Sequence, residues 1–167
     1  MPSALARTIA VLWLLFVGAA TALAQDASST VPTIELSSES GTWRVTAATL
    51  ASLPRFEQKV AFQTSRGTVE SSFEGVLLWD VLKSAGAFRE AGDHPELRKI
   101  FVVTGRDGYS IAFSMGEINP LFGNKAIMLA ERADGQPLPP RDGLRLVVPG
   151  DQRGARSVRD VASIQLR

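Results

Sequence analysis

Three arginines spaced by three residues, Arg153, Arg156 and Arg159, with Ser157 among them, form the densest group of chemistry-bearing side chains in this sequence. Each guanidinium offers a planar fork of N–H donors and the hydroxyl adds another. Gly150 and Gly154 let the backbone come close to a ligand. The combination suits a phosphate-like anion, although the same stretch taken alone also reads as a solvated basic turn. Other reactive groups are scarce. There is no cysteine, which excludes disulfides and thiolate chemistry, and the single histidine, His94, lies in Gly92-Asp93-His94-Pro95 and reads as an exposed loop residue. No metal site is expected from one histidine without thiols, and no Asp-rich calcium loop is present. The G-x-S-x-G elbow and the phosphate-binding G-x-x-x-x-G-K-[ST] loop are both missing. Trp43, Trp79 and Tyr109 read as packing residues.

The arginine loop follows an apolar strand, Leu144 to Val148, that breaks at Pro149-Gly150, and precedes an alternating segment ending at Leu166. Upstream, Thr33 to Leu36 and Thr42 to Thr46 flank a Ser-Glu-Ser-Gly turn, and Thr46 is placed to cap a short helical turn that Pro54 stops. Glu57 to Thr64 and Thr68 to Phe73 alternate as strands around Arg66-Gly67. Leu77, Leu78, Val81 and Leu82 have helical spacing, with Gly86 as the stop. Ala87 to Arg98 reads as a polar loop. Lys99 to Thr104 and Tyr109 to Ser114 bracket a Gly-Arg-Asp-Gly hairpin turn, and Ser114 with Glu117 has capping-box spacing. Lys125 to Glu131 and Leu144 to Val148 are apolar enough for central strands, with loop chemistry over Ala133 to Pro140. The fold class expected is α+β, a mixed sheet with few short helices.

Arg7 is the only charged residue among the first 24; an apolar run follows it, and Ala22-Leu23-Ala24 before Gln25 has the small-residue pattern of a cleavage site. Residues 1–24 are therefore expected to be a secretory signal peptide, 25–32 a flexible polar leader and 33–167 the domain. The expected location is periplasmic, with no stable membrane insertion after cleavage. Arg7 has no neighbouring arginine, so a twin-arginine signal is absent. With 18 basic and 17 acidic residues the chain gives no sign of nucleic-acid binding, yet residues 141–167 hold six arginines against three aspartates.

The end of the chain resembles the molybdopterin-binding domain of the sulfite oxidase family. Arg145-Leu146-Val147-Val148-Pro149-Gly150 is similar to that family's R-L-V-V-P-G turn, Arg156-Ser157-Val158-Arg159-Asp160 to its segment around S-V-K-W, and Ile164-Gln165-Leu166 to its closing I-x-L strand. Phe73 to Gly86 resembles W-x-G-V-P-L-x-x-L-L-x-x-A-G, and Asp107-Gly108-Tyr109-Ser110 with Glu117 resembles a D-G-Y motif followed by glutamate. The resemblance implies the sulfite-oxidase-like molybdopterin-binding fold. It also exposes two departures. Thr64, or Ser65 if the register slips, stands where the family carries its metal-binding thiolate, and a hydroxyl is a poor substitute for soft sulfur. Asp160 replaces the usual tryptophan.

Taken together, the residues and the resemblance imply an exported binding or accessory module without bound molybdenum and with no catalytic residues. Arg153, Arg156, Ser157 and Arg159 form its anion or cofactor site, and Thr64 marks the missing metal ligand. No cofactor is expected, molybdopterin being the one the resemblance allows. The partner expected is a small anion, a pterin-like ligand, or a periplasmic redox or signalling protein. The alternative is a molybdopterin-dependent oxidoreductase acting on a small oxyanion or a sulfoxide.

Overall fold

Alternation of apolar and polar residues sets the first two strands. β1 (Ile34–Ser38) buries Ile34 and Leu36 between exposed neighbours and pairs antiparallel with β2 (Gly41–Val45), Leu36 lying opposite Trp43. The computed structural model describes residues 33–65, 67–88 and 94–167, so the expected signal peptide and leader, and Arg66 of the expected turn, lie outside the described residues. As expected, Thr46 caps α1 (Ala47–Ala51), its hydroxyl accepting from Thr49 N–H at 3.3 Å in a reciprocal capping box.

β3 (Phe56–Thr64) and β4 (Gly67–Leu77) form a long antiparallel hairpin. β4 runs four residues beyond its expected end at Phe73 because Gly75 permits a bulge: a Cβ there would lie 1.9 Å from the Leu129 carbonyl oxygen. α2 (Leu78–Ser84) begins at once and buries Leu78, Trp79, Val81 and Leu82. The expected polar loop from Ala87 to Arg98 needs correcting at both ends. Ala87 is buried, and Pro95–Arg98 forms a 3-10 turn whose Glu96 is only 1% exposed.

β5 (Ile100–Gly105) and β6 (Ser110–Ser114) form the second expected hairpin, followed by α3 (Met115–Ile118) with the Ser114–Glu117 capping box. β7 (Met128–Ala133), β8 (Gln136–Pro137), β9 (Arg145–Val147) and β10 (Val161–Leu166) complete the fold. Residues Gln136 and Pro137, expected in a loop, add a short strand to β7.

Two five-stranded sheets result. The first has the order β2-β1-β10-β5-β6 and is mixed, since β1 and β10 run parallel; the second is β3-β4-β7-β8 with β9 also pairing β7. β9 is buried as expected but not central. Among the described residues its only ladder is with β7, and its other side is closed by Leu146 N–H to the Val158 carbonyl and by Val161 N–H to the Leu144 carbonyl, each 2.8 Å.

The main core gathers Ile34, Leu36, Phe101, Leu129, Leu146 and Ile164 with the apolar face of α2. A smaller core on the other face of the second sheet holds Val60, Phe62, Phe73, Met128, Ala130 and Val147. Both faces are therefore buried over Met128, Leu129 and Ala130 of β7 and Leu146 and Val147 of β9, which is why these stretches read as apolar runs rather than alternating ones.

Gly75→Ala should destabilise the domain by roughly 1–3 kcal/mol, because the methyl meets backbone rather than a yielding side chain. Urea denaturation of the variant checks this; a midpoint equal to wild type would contradict the geometry.

Candidate functional site

The loop between β9 and β10 is held in place before any ligand is considered. Gln63 N–H, near the end of β3, donates to the Gln152 carbonyl at 2.8 Å, and Gln63 bridges to Arg153. Gly154 rests on the Phe62 ring, where an added Cβ would sit 3.6 Å from ring carbons. A 3-10 turn over Gly154–Arg156 then directs the chain through Ser157 and the fully buried Val158 to Arg159.

Arg156 is the strut of this loop. Its Nε and Nη2 donate to the two Asp151 oxygens at 2.7 and 2.6 Å, Nη1 reaches Glu117 Oε2 in α3 at 3.3 Å, and the guanidinium lies 5.1 Å from the Phe113 ring centroid. Lys125 adds a third cation contact, 3.0 Å from Asp151. Hydrogen bonding from Arg156 holds the Asp151 carboxyl below its usual range despite partial desolvation, and Lys125 acts in the same sense. The Arg156 guanidinium is in turn held more firmly protonated, first by Asp151 and then, against desolvation, by Glu117.

The other predicted residues separate around this strut. Arg153 points to the surface and does not line the cleft beside it. Ser157 and Arg159 do line that cleft, of about 310 Å³, and they meet there two residues that loop spacing alone did not bring forward, Arg145 and Tyr109. Tyr109, expected as packing, is about half exposed, and its hydroxyl donates to the Ala155 carbonyl at 2.6 Å. It thereby clips the β5–β6 turn to the arginine loop. Asp107 also lines the cleft and spends one oxygen on Tyr109 N–H at 3.0 Å.

Arg145 opens β9 on the side of the smaller core, its guanidinium 5.5 Å from the Phe73 ring centroid. Burial lowers its pKa, the positive Arg159 nearby acts in the same direction, and Asp142 opposes both. Arg145 Nε and Ser157 Oγ are buried without a hydrogen-bond partner among the described residues. Two unmet polar groups and two guanidinia around one cleft form an acceptor-seeking site, and an oxyanion supplies those acceptors. Arg159 is 62% exposed and only loosely paired, 3.8 Å from Asp142. Strand alternation was the available signal for Arg145: it shares the face of Val147, one residue pair from the turn.

Thr64 closes β3 opposite Gly67, and its hydroxyl donates to the Gly67 carbonyl at 2.8 Å. Asp160, in the place of the usual tryptophan, adopts φ +43° and pairs with Arg106 at 3.2 Å.

The family model for the oxidoreductase molybdopterin binding domain matches residues 35–167. The chain belongs to this family. Among solved structures it is similar to the sulfane dehydrogenase SoxCD from Paracoccus pantotrophus, with a TM-score of 0.63 at 20% identity. That match covers 80% of this chain and 37% of the other, and it shows a shared fold. No curated protein matches the sequence. For this family domain the α+β architecture with few short helices stands as expected, and it contains no cysteine.

The Arg156–Asp151 pair makes the loop sensitive to acid. A carboxyl with a lowered folded pKa stabilises the fold above the ordinary carboxylate range and loses that contribution as pH falls through its folded pKa. Asp151→Asn should cost about 1 kcal/mol at neutral pH, allowing for partial exposure, and the difference from wild type should shrink near pH 3. Denaturation of both proteins at the two pH values, with amide exchange of residues 150–157, measures this. A pH-independent difference would assign the loop's order to other contacts.

Proposed function

We propose that this chain is an exported, periplasmic binding or accessory module of the molybdopterin-binding family that holds a small oxyanion, or the phosphate of a pterin-like ligand, without molybdenum. The observation that carries this reading is the pair of buried, unpartnered donors, Arg145 Nε and Ser157 Oγ, in a cleft shared with Arg159. These residues fit the phosphate end of the family's cofactor. The metal end fits poorly: the chain has no thiol, and the Thr64 hydroxyl is already bonded to the Gly67 carbonyl. No redox step is therefore routed through this chain. The export signal read at residues 1–24 supports periplasmic placement, where a redox or signalling protein could meet the loaded cleft.

Binding is tested by calorimetry with phosphate, sulfate, sulfite and a pterin phosphate. A charge-assisted hydrogen bond in a shielded site contributes about 1.5–3 kcal/mol. Arg145→Ala with Arg159→Ala should thus weaken the best ligand by at least about tenfold. Ser157→Ala should weaken it less, and Arg153→Ala should leave it unchanged. Equal affinities for wild type and the double variant would remove the cleft from the account.

Family membership favours one rival, a molybdopterin-dependent oxidoreductase acting on a small oxyanion or a sulfoxide. Protein purified from the periplasm of cells supplied with molybdate should begin at Gln25 by intact mass and carry far less than one molybdenum per chain. Stoichiometric metal would favour the oxidoreductase instead.

A further inference from the structure

Away from the arginine cleft, the chain buries a carboxylate that no described contact fully satisfies. Glu96, in the 3-10 turn after α2, is 1% exposed; its Oε1 meets Asn119 Nδ2 at 3.0 Å and His94 Nδ1 at 3.1 Å, while Oε2 is buried with no partner among the described residues. Asn119 is itself buried, and its Oδ1 is occupied by Leu121 N–H at 2.9 Å. His94 holds a left-handed backbone, φ 46° and ψ 52°, a conformation that costs free energy in a residue with a side chain. The Phe122 edge fixes its ring at 5.1 Å.

The donor and acceptor roles follow from these contacts. Glu96 Oε1 already accepts from Asn119 Nδ2, so His94 Nδ1 is the donor in its contact with the same oxygen. Glu96 Oε2 is the acceptor left open. Both residues line a cleft of about 240 Å³ whose other walls include Trp79, Pro120 and Leu121, all apolar. Lys83 also lines it and has a contact of its own. Oε2 itself is buried. Leu121, another lining residue, is 74% exposed and belongs to neither core.

We propose that this cleft is a second ligand site, which takes a primary ammonium carried on a small apolar body. The ammonium supplies the donor that the open Glu96 oxygen lacks and has no acceptor of its own to leave unmet, and the apolar body covers Trp79 and Leu121. The proposal does not depend on the arginine cleft.

Calorimetry with 2-phenylethylamine and its uncharged counterpart 2-phenylethanol tests it, using the full domain at pH 7.5. The amine is expected to bind saturably and at least about tenfold more tightly than the alcohol. Glu96→Gln should weaken the amine by at least about tenfold, and Leu121→Trp, which fills the cleft from an exposed position and leaves the core untouched, should abolish binding. The Arg145→Ala, Arg159→Ala variant should bind the amine as wild type does. No amine binding, equal binding of amine and alcohol, or undiminished binding by the Leu121→Trp protein would overturn the proposal. If Glu96→Gln fails to fold by circular dichroism, the alcohol comparison and Leu121→Trp still decide it.

Discussion

One guanidinium organises the functional end of this fold. Arg156 lies against an aromatic face, makes a two-pronged contact with Asp151, and touches Glu117 of a different segment. The turn after β9, the helix after β6 and the segment entering β7 are drawn to a single point, because Lys125 shares the same carboxylate. Removing one member leaves the others with charge to re-solvate. This is the reason an arginine whose type suggests ligand binding serves as scaffold instead, and the reason its neighbours Ser157 and Arg159 are free to face a cleft.

The cleft has the opposite character. Arg145 is committed to its position by β9, whose two faces supply Leu146 to the main core and Val147 to the smaller one. A strand buried on both faces cannot rotate to release its first residue to solvent, so the guanidinium stays half-desolvated beside Phe73, with one N–H unmet. That arrangement is unfavourable for as long as the buried N–H stays unmet. Scaffold and site are thus built from the same residue type and differ in whether the fold supplies the counter-charge.

Much of this was legible in the sequence, and the limits have physical causes. Strand alternation and the two capping boxes at Thr46 and Ser114 are local signals, and the structure follows them. The extension of β4 past Phe73 depends on a carbonyl contributed by β7, more than fifty residues away, and no local pattern carries that. Likewise Glu96 reads as a loop carboxylate until Asn119 and His94 close over it. In the arginine loop the residue types pointed to anion chemistry, but their partition did not follow from spacing: Asp151, five residues before Arg156, captures it, while Arg145 enters from the preceding strand. Long-range charge pairing decides which arginine is structural.

The parallel pairing of β1 with β10 has a kinetic meaning. The strand that opens the described domain finds its inner neighbour only in Val161–Leu166, with Leu36 set beside Ile164. The β3–β4 and β5–β6 hairpins can zip from nearby residues, whereas the first sheet stays split into two pieces until β10 arrives between them. A chain delivered from its amino end therefore holds β1 and β2 as an unfinished, hydrophobic ribbon for nearly the whole of its synthesis. Protection of that ribbon, rather than the strength of any one contact, sets how safely this domain folds.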